Sequence, residues 1–240
     1  MARRCYASAH RESPVTSNPS PAYVSRISAV FADNGRGERG DLAAVVRAIL
    51  LDPEATQRPT GAQQTSGKLQ EPVVRYVSLL RQFEATSDDG FIAALGFFLQ
   101  ELTRQHPLSA PSVFNFYLPS HAPAGDIAAA GLVAPEFQIA DANAIVGWPN
   151  LLDAILFGDF VTDAPQGFDP VRLQLEPYFA IASDVDELID RLDTVLTGGA
   201  LDSGYKAELR TQLALIDQLD VRVQIAIYLV AISPDAMVVR

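Results

Sequence analysis

The chain has 240 residues, 48% of them hydrophobic and 20% charged, which is the composition of a globular protein with a buried core. Its net charge is −11, split as 12 basic against 11 acidic residues in 1–110 and 6 against 18 in 111–240. So acidic a second half argues against nucleic acid as a ligand, because phosphate binding requires clustered Lys and Arg. The single cysteine, Cys5, excludes an internal disulfide and a cysteine-based zinc site.

The start, "MARRCYASAHRESP", has arginines but no apolar stretch of signal-peptide length. As written the chain therefore reads as cytoplasmic. Residues 1–20 are polar, without periodicity, and broken by Pro14 and Pro19. They are expected to form a disordered tail, followed by one helical domain over 21–240.

Pro21 suits a first helical turn, with Tyr23, Val24, Ile27, Val30 and Phe31 as an apolar stripe. Asn34, Gly35, Gly37 and Gly40 then supply a turn, and Asp41 stands as an N-cap before Leu42, Val45, Val46, Ile49 and Leu50. Residues 56–68 form a polar loop. Pro72 opens a helix with Val73, Tyr76, Val77, Leu80 and Phe83 on one side, and "TSDDG" separates it from a helix over 91–102.

"HPLSAPSVFNFYLPSHAPAG" is irregular yet apolar, and a loop of that length and character either packs down or binds something. A helical pattern resumes over 135–157, weakened by Gly147 and Pro149, and a second irregular stretch follows. Three helices close the chain: 185–197 behind the cap Asp184 and stopped by Gly198, then 205–216, then 221–232. Val221–Ile232, the longest apolar run, is broken by Arg222 and Gln224 and reads as a buried helix, not a membrane span. The fold expected is all-α, an irregular multi-helix bundle with long Pro- and aromatic-rich loops.

Several short motifs fail on their chemistry. Arg39-Gly40-Asp41 looks adhesive, but Asp41 is needed as a cap. "DNGRGERGD" lacks ligands at the third and fifth positions of a calcium loop, where Gly35 and Gly37 stand, and Ala44 occupies the twelfth. "GAQQTSGK" resembles a phosphate loop, but its glycine spacing is one residue too long and Leu69 stands where Ser or Thr would hold magnesium. His10, His106 and His121 show no metal-ligand spacing, and no nucleophile elbow is present. No metal or cofactor is expected.

Five stretches in order carry a resemblance. "FADNGRGERGDLAAVVRAILLDPEA", "GKLQEPVVRYVSLLRQF", "PLSAPSVFNFYLP", "GLVAPEFQI" and "AIYLVAISPD" together resemble the bacterial family called domain of unknown function 1800, over residues 15–240. Members are typically longer, with an N-terminal helical portion carrying an aromatic–histidine motif that this chain lacks. The resemblance thus implies the C-terminal half of a truncated or frame-shifted member, from an exported or envelope-associated setting. It further implies two partners: the missing N-terminal half, and a protein of the neighbouring domain of unknown function 1501 family.

Two functions are consistent with these residues. The first is a non-catalytic helical module for assembly or binding, using the aromatic loop with Phe114, Asn115, Phe116 and Tyr117. The second is half of a hydrolase-like enzyme, completed by the missing portion, with Lys68, Glu71, Arg75, Asn115, His121 and Glu136 as candidates in or beside family-like segments. Glu71 and Arg75 have the spacing of a helical ion pair, and Asn115 suits a turn, so both also have structural explanations.

Overall fold

A computed structural model describes residues 15–57, 67–92, 96–113, 115–158 and 171–239. The fold is all-α. In chain order its helices are α1 (Pro21–Ala32), α2 (Leu42–Leu51), α3 (Pro53–Thr56), α4 (Pro72–Gln82), α5 (Gly96–Thr103) and α6 (Asp126–Ala129), then α7 (Ala142–Leu156), α8 (Glu176–Phe179), α9 (Val185–Thr197), α10 (Ser203–Leu213), α11 (Leu219–Ala231) and α12 (Pro234–Met237). A 3-10 helix spans Pro135–Gln138, and the short strands β1 (Lys68–Leu69) and β2 (Val238–Val239) pair with each other. Among the described residues no helix is long and apolar enough to cross a membrane.

The chain divides into two compact units. The first comprises residues 1–69, 112–138 and 239–240; the second comprises 70–111 and 139–238. In the first, α1 packs on α2 around Tyr23, Ile27 and Val45, with Val30, Phe31, Ala48 and Ile49 beside them. The expected glycine turn joins the two helices. Asp33 Oδ1 accepts from the amides of Gly35 (2.8 Å) and Gly37 (2.9 Å), both in left-handed conformation, and Asp41 Oδ1 caps α2 through Ala44 N at 3.0 Å. The Asp33 and Asp41 carboxylates are thus engaged by backbone amides, the capping use expected of Asp41, while Asn34 Nδ2 donates to Glu38 Oε2 at 2.9 Å.

Residues 1–14 of the expected tail lie outside the described residues. The six that precede α1 are packed: Thr16 and Ser17 are buried, and Asn18 clamps Val133 by two hydrogen bonds, Nδ2 to O at 2.8 Å and N to Oδ1 at 2.9 Å. The polar loop's residues 58–66 also lie outside the described set.

The second unit is built on a larger apolar core. Leu151, Leu152, Leu188, Ile189, Leu192, Leu209, Leu213, Val223 and Ile227 are buried together, drawn from α7, α9, α10 and α11. Asp184 Oδ1 caps α9 through the amides of Asp186 and Glu187, both at 3.0 Å, and Gly198 ends it in the left-handed conformation. Two boundaries differ from the sequence pattern. The helix expected over 91–102 is seen as α5 from Gly96; Phe91 and Ile92 are not helical, because Ser87 and Asp89 tie Phe91 into a turn (Phe91 N to Asp89 Oδ1, 2.8 Å), and 93–95 lie outside the described residues. The pattern over 135–157 splits into the 3-10 turn and α7, because Asp141 Oδ1 accepts from Ala144 N at 2.8 Å and starts a new helix. Gly147, which weakened that pattern, has a packing role. A Cβ placed there would lie 1.7 Å from the Leu102 carbonyl oxygen, so the close crossing of α5 and α7 requires glycine.

Candidate functional site

In the first unit, β1 carries Lys68 and the 3-10 turn carries Glu136. Lys68 Nζ lies 3.1 Å from Glu136 Oε1, and Ser17 Oγ donates to Glu136 Oε2 at 3.3 Å. Glu136 and Ser17 are each 4% exposed, and Thr16 is buried beside them. Lys68 and Glu136, which stand in two separate family-like stretches, therefore form one buried polar cluster. Chemically the pair is self-neutralising. The carboxylate has a cation and a hydroxyl on its two oxygens, and the burial makes removal of either charge costly.

The loop residues of this unit point to packing. Asn115 has a left-handed backbone, φ +68°, and its amide donates to Ser112 O at 3.2 Å, the turn-closing use its residue type allows. Tyr117 is buried and Phe116 half-buried, while Phe114 lies outside the described residues. His121 contributes its backbone: its carbonyl accepts from Ala134 N at 2.9 Å and its amide donates to Leu118 O at 3.0 Å. Among its described residues, Val113 is 94% exposed and Leu118 51%.

Glu71 and Arg75 belong to the second unit. Gln105 Oε1 accepts from Val73 N at 3.0 Å and its Nε2 donates to Glu71 Oε2 at 2.7 Å, so a residue distant in sequence caps α4. The Arg75 guanidinium lies over the Trp148 ring, 4.7 Å from its centroid, and donates to Gln70 O at 3.1 Å. Its Nε is buried and has no hydrogen-bond partner among the described residues, and burial brings its pKa down to about 10, which leaves it a cation at neutral pH. Trp148 is fixed in turn by donating Nε1 to Ala231 O at 3.1 Å.

Two polar side chains of this unit were not singled out as candidate site residues in the sequence. Arg222 donates to Ala182 O (2.7 Å) and to Ile216 O, tying the ends of neighbouring segments together. Its position inside an apolar run was the available signal. Asp193, on α9, accepts from Leu201 N (2.9 Å), from Thr197, and from Lys206 (2.6 Å). Among the described residues no group of three or more His, Cys, Asp or Glu is arranged to hold a metal ion.

A further open feature of the first unit lies elsewhere. A cleft of about 620 Å³ is lined by residues of α1, the glycine turn and α2, including Arg26, Arg36, Arg47, Ile27, Val30 and Leu51. Arg26 is engaged, its Nε and Nη2 each 2.7 Å from an oxygen of the buried Asp52. Outside the cleft lining, α2 leaves Leu42, Val46 and Leu50 exposed at 66%, 53% and 49%, in a single row at i, i+4, i+8. Only Val45 of this helix is buried. Ten residues carrying one charge are more apolar than one buried side needs, and that excess was readable in "LAAVVRAILL". The second unit has its own apolar cavity of about 330 Å³ along α4 and α5, lined by Tyr76, Leu80 and Leu99 among others.

The family model described as protein of unknown function (DUF1800) matches residues 13–238 of the chain. No curated protein and no solved structure matches it.

Proposed function

The chain belongs to the DUF1800 family, and from that premise we propose that it is a helical, non-catalytic module for binding or assembly, from an exported or envelope-associated bacterial protein. The observation that supports this reading is α2, which turns the row Leu42, Val46, Leu50 to solvent while burying only Val45. Each such side chain contributes roughly 1.5–3 kcal/mol when fully buried, so a partner covering this row gains a sizeable driving force. The partners proposed are those that the family resemblance implies: an N-terminal helical portion, and a protein of the domain of unknown function 1501 family.

The test is capture of that candidate protein on the tagged chain, with wild type compared with the Leu42→Ser/Val46→Ser/Leu50→Ser variant. Wild type retains the partner, and the variant loses it with unchanged far-UV circular dichroism. Equal capture by both counts against the reading.

A second reading, half of a hydrolase-like site, draws on the Lys68–Glu136–Ser17 cluster. It carries less weight, since Glu136 and Ser17 are each only 4% exposed and their polar atoms already engage one another. It requires that hydrolysis appear when an N-terminal portion is added and vanish in Lys68→Met.

A further inference from the structure

The glycine turn between α1 and α2 carries chemistry that the binding reading leaves unused. Asn34 is the only one of the chain's five asparagines followed by glycine; the others precede Pro19, Phe116, Ala144 and Leu151. A backbone nitrogen can attack the side-chain carbonyl of the asparagine before it, and glycine, with no Cβ beside that nitrogen, hinders the approach least. Gly35 is exposed and Asn34 half-buried, so water reaches the bond between them.

Several groups of the turn stand on the reacting atoms. Asp33 Oδ1 accepts from the Gly35 amide at 2.8 Å, which puts a carboxylate on the proton that the attacking nitrogen must lose. The Arg36 amide donates to Asn34 Oδ1 at 3.0 Å, where negative charge develops as the carbonyl is attacked. Asn34 Nδ2, the leaving group, donates to Glu38 Oε2 at 2.9 Å and to Asp41 Oδ2 at 2.8 Å. These last two bonds restrain the side chain, but they belong to a surface turn, where local opening costs least.

We propose that Asn34–Gly35 is a self-modification site, at which the turn converts its own asparagine into aspartate and isoaspartate. Asp33 takes the proton from the Gly35 nitrogen as that nitrogen bonds to Asn34 Cγ. The bond from Cγ to Nδ2 then breaks, and Nδ2 leaves as ammonia with the proton returned to it. The succinimide ring that results is opened by water at either carbonyl. No electrons are gained or lost, and water is the only co-reactant.

The product matters because Nδ2 is the donor between Glu38 and Asp41. After the Ala44 amide, it is the next largest influence holding the Asp41 carboxyl below its ordinary range. Its loss leaves Glu38 and Asp41 facing a third carboxylate, and Asp41 is the cap of α2. Conversion therefore loosens the first turn of α2. This inference stands apart from the binding-module reading and holds whether or not a partner is captured.

The test holds the 240-residue chain in mildly alkaline native buffer, digests it with trypsin and follows the peptide that ends at Arg36 by mass spectrometry. Asn34 gains the mass of amide-to-acid conversion at least about tenfold faster than Asn115, Asn143 or Asn150. Asp33→Asn, which keeps an oxygen for the two glycine amides but no base, slows that conversion about tenfold or more, with fragmentation locating the site. Converted chain, and Asn34→Asp as a direct copy of one product, exchange the first α2 amides at least about tenfold faster than wild type. Absence of conversion in native buffer overturns the proposal, whatever happens in urea, since the turn then protects Asn34. An equal rate in Asp33→Asn overturns it too, leaving only the intrinsic chemistry of the dipeptide, as does unchanged α2 exchange after conversion.

Discussion

The two units solve the same problem with different materials. The second unit packs apolar side chains from α7, α9, α10 and α11 into a continuous core, and its charges lie mostly outside it. The first has a small cluster around Tyr23, Ile27 and Val45 and is otherwise held by polar clamps: Arg26 on Asp52, Lys68 and Ser17 on Glu136, and Asn18 on Val133. Apolar burial is non-directional and tolerates small shifts, whereas a buried ion pair depends on both partners being present. Both units leave apolar helix residues exposed, Val74 and Val77 on α4 and Ile145 and Val146 on α7 in the second, but in the first the row Leu42, Val46, Leu50 stands on a helix that buries only Val45. On the proposed reading, this row is where a partner docks.

Substitutions sharpen this contrast. Glu136→Ala leaves Lys68 nearly buried without its anion and costs about 3–5 kcal/mol, more than its size alone would warrant. The loss is expected in hydrogen exchange of residues 15–20 and 67–69, with the second unit's amides unchanged. Leu192→Ala, at a fully buried site in the second unit, costs about 2–5 kcal/mol in urea unfolding, read by the single tryptophan, Trp148. If Glu136→Ala proves nearly neutral, the first unit does not rest on its clamps and the contrast fails.

Acid should expose the same difference. Hydrogen bonds from Arg26 hold the Asp52 carboxyl below its ordinary range, and the Ala44 amide and Asn34 do the same for Asp41. A depressed folded pKa means stability that is complete above the unfolded value of about 3.9 and lost as pH falls through the folded value. Asp193 in the second unit is also lowered, through hydrogen bonds from Lys206, Thr197 and Leu201 that outweigh its burial, but a large apolar core surrounds it. The first unit should therefore open at higher pH than the second, and Asp52→Asn should flatten its dependence below about pH 4. At the alkaline end the sign reverses for Lys206, whose pKa is raised by Asp193 and Asp190. Its contribution is present at neutral pH and lost as pH rises through that value. The smallest effect on stability belongs to Leu42→Ser/Val46→Ser/Leu50→Ser. It stays within about 0.5 kcal/mol per exposed site in denaturant titration, while partner capture disappears.

Much of the fold was legible because its signals are local. Asp41 and Asp184 mark helix starts by hydrogen bonds two or three residues away, Pro21 and Pro72 open first turns, and Gly198 closes α9. The misplaced boundaries have local causes of another kind: Asp141 caps α7 inside what reads as one helical pattern, and the Ser87–Asp89 turn captures Phe91. The candidate site was legible only in part. Lys68 and Glu136 were both singled out, but their pairing spans a sequence distance that no periodicity encodes. Gln105 serving the N-terminus of α4, and Arg222 serving Ala182 and Ile216, are invisible for the same reason. Tyr117, singled out for binding, is buried, so replacing it strikes the packing of its loop before any surface.

The most direct measurement is hydrogen exchange of the chain, alone and with the candidate partner bound. The account predicts that amides of α2 exchange faster than those of α9 and α11 in the free chain, and that partner binding slows α2 while leaving α9 and α11 unchanged. Protection of α2 equal to that of α9 in the free chain, unaltered by a partner that does bind, would contradict it.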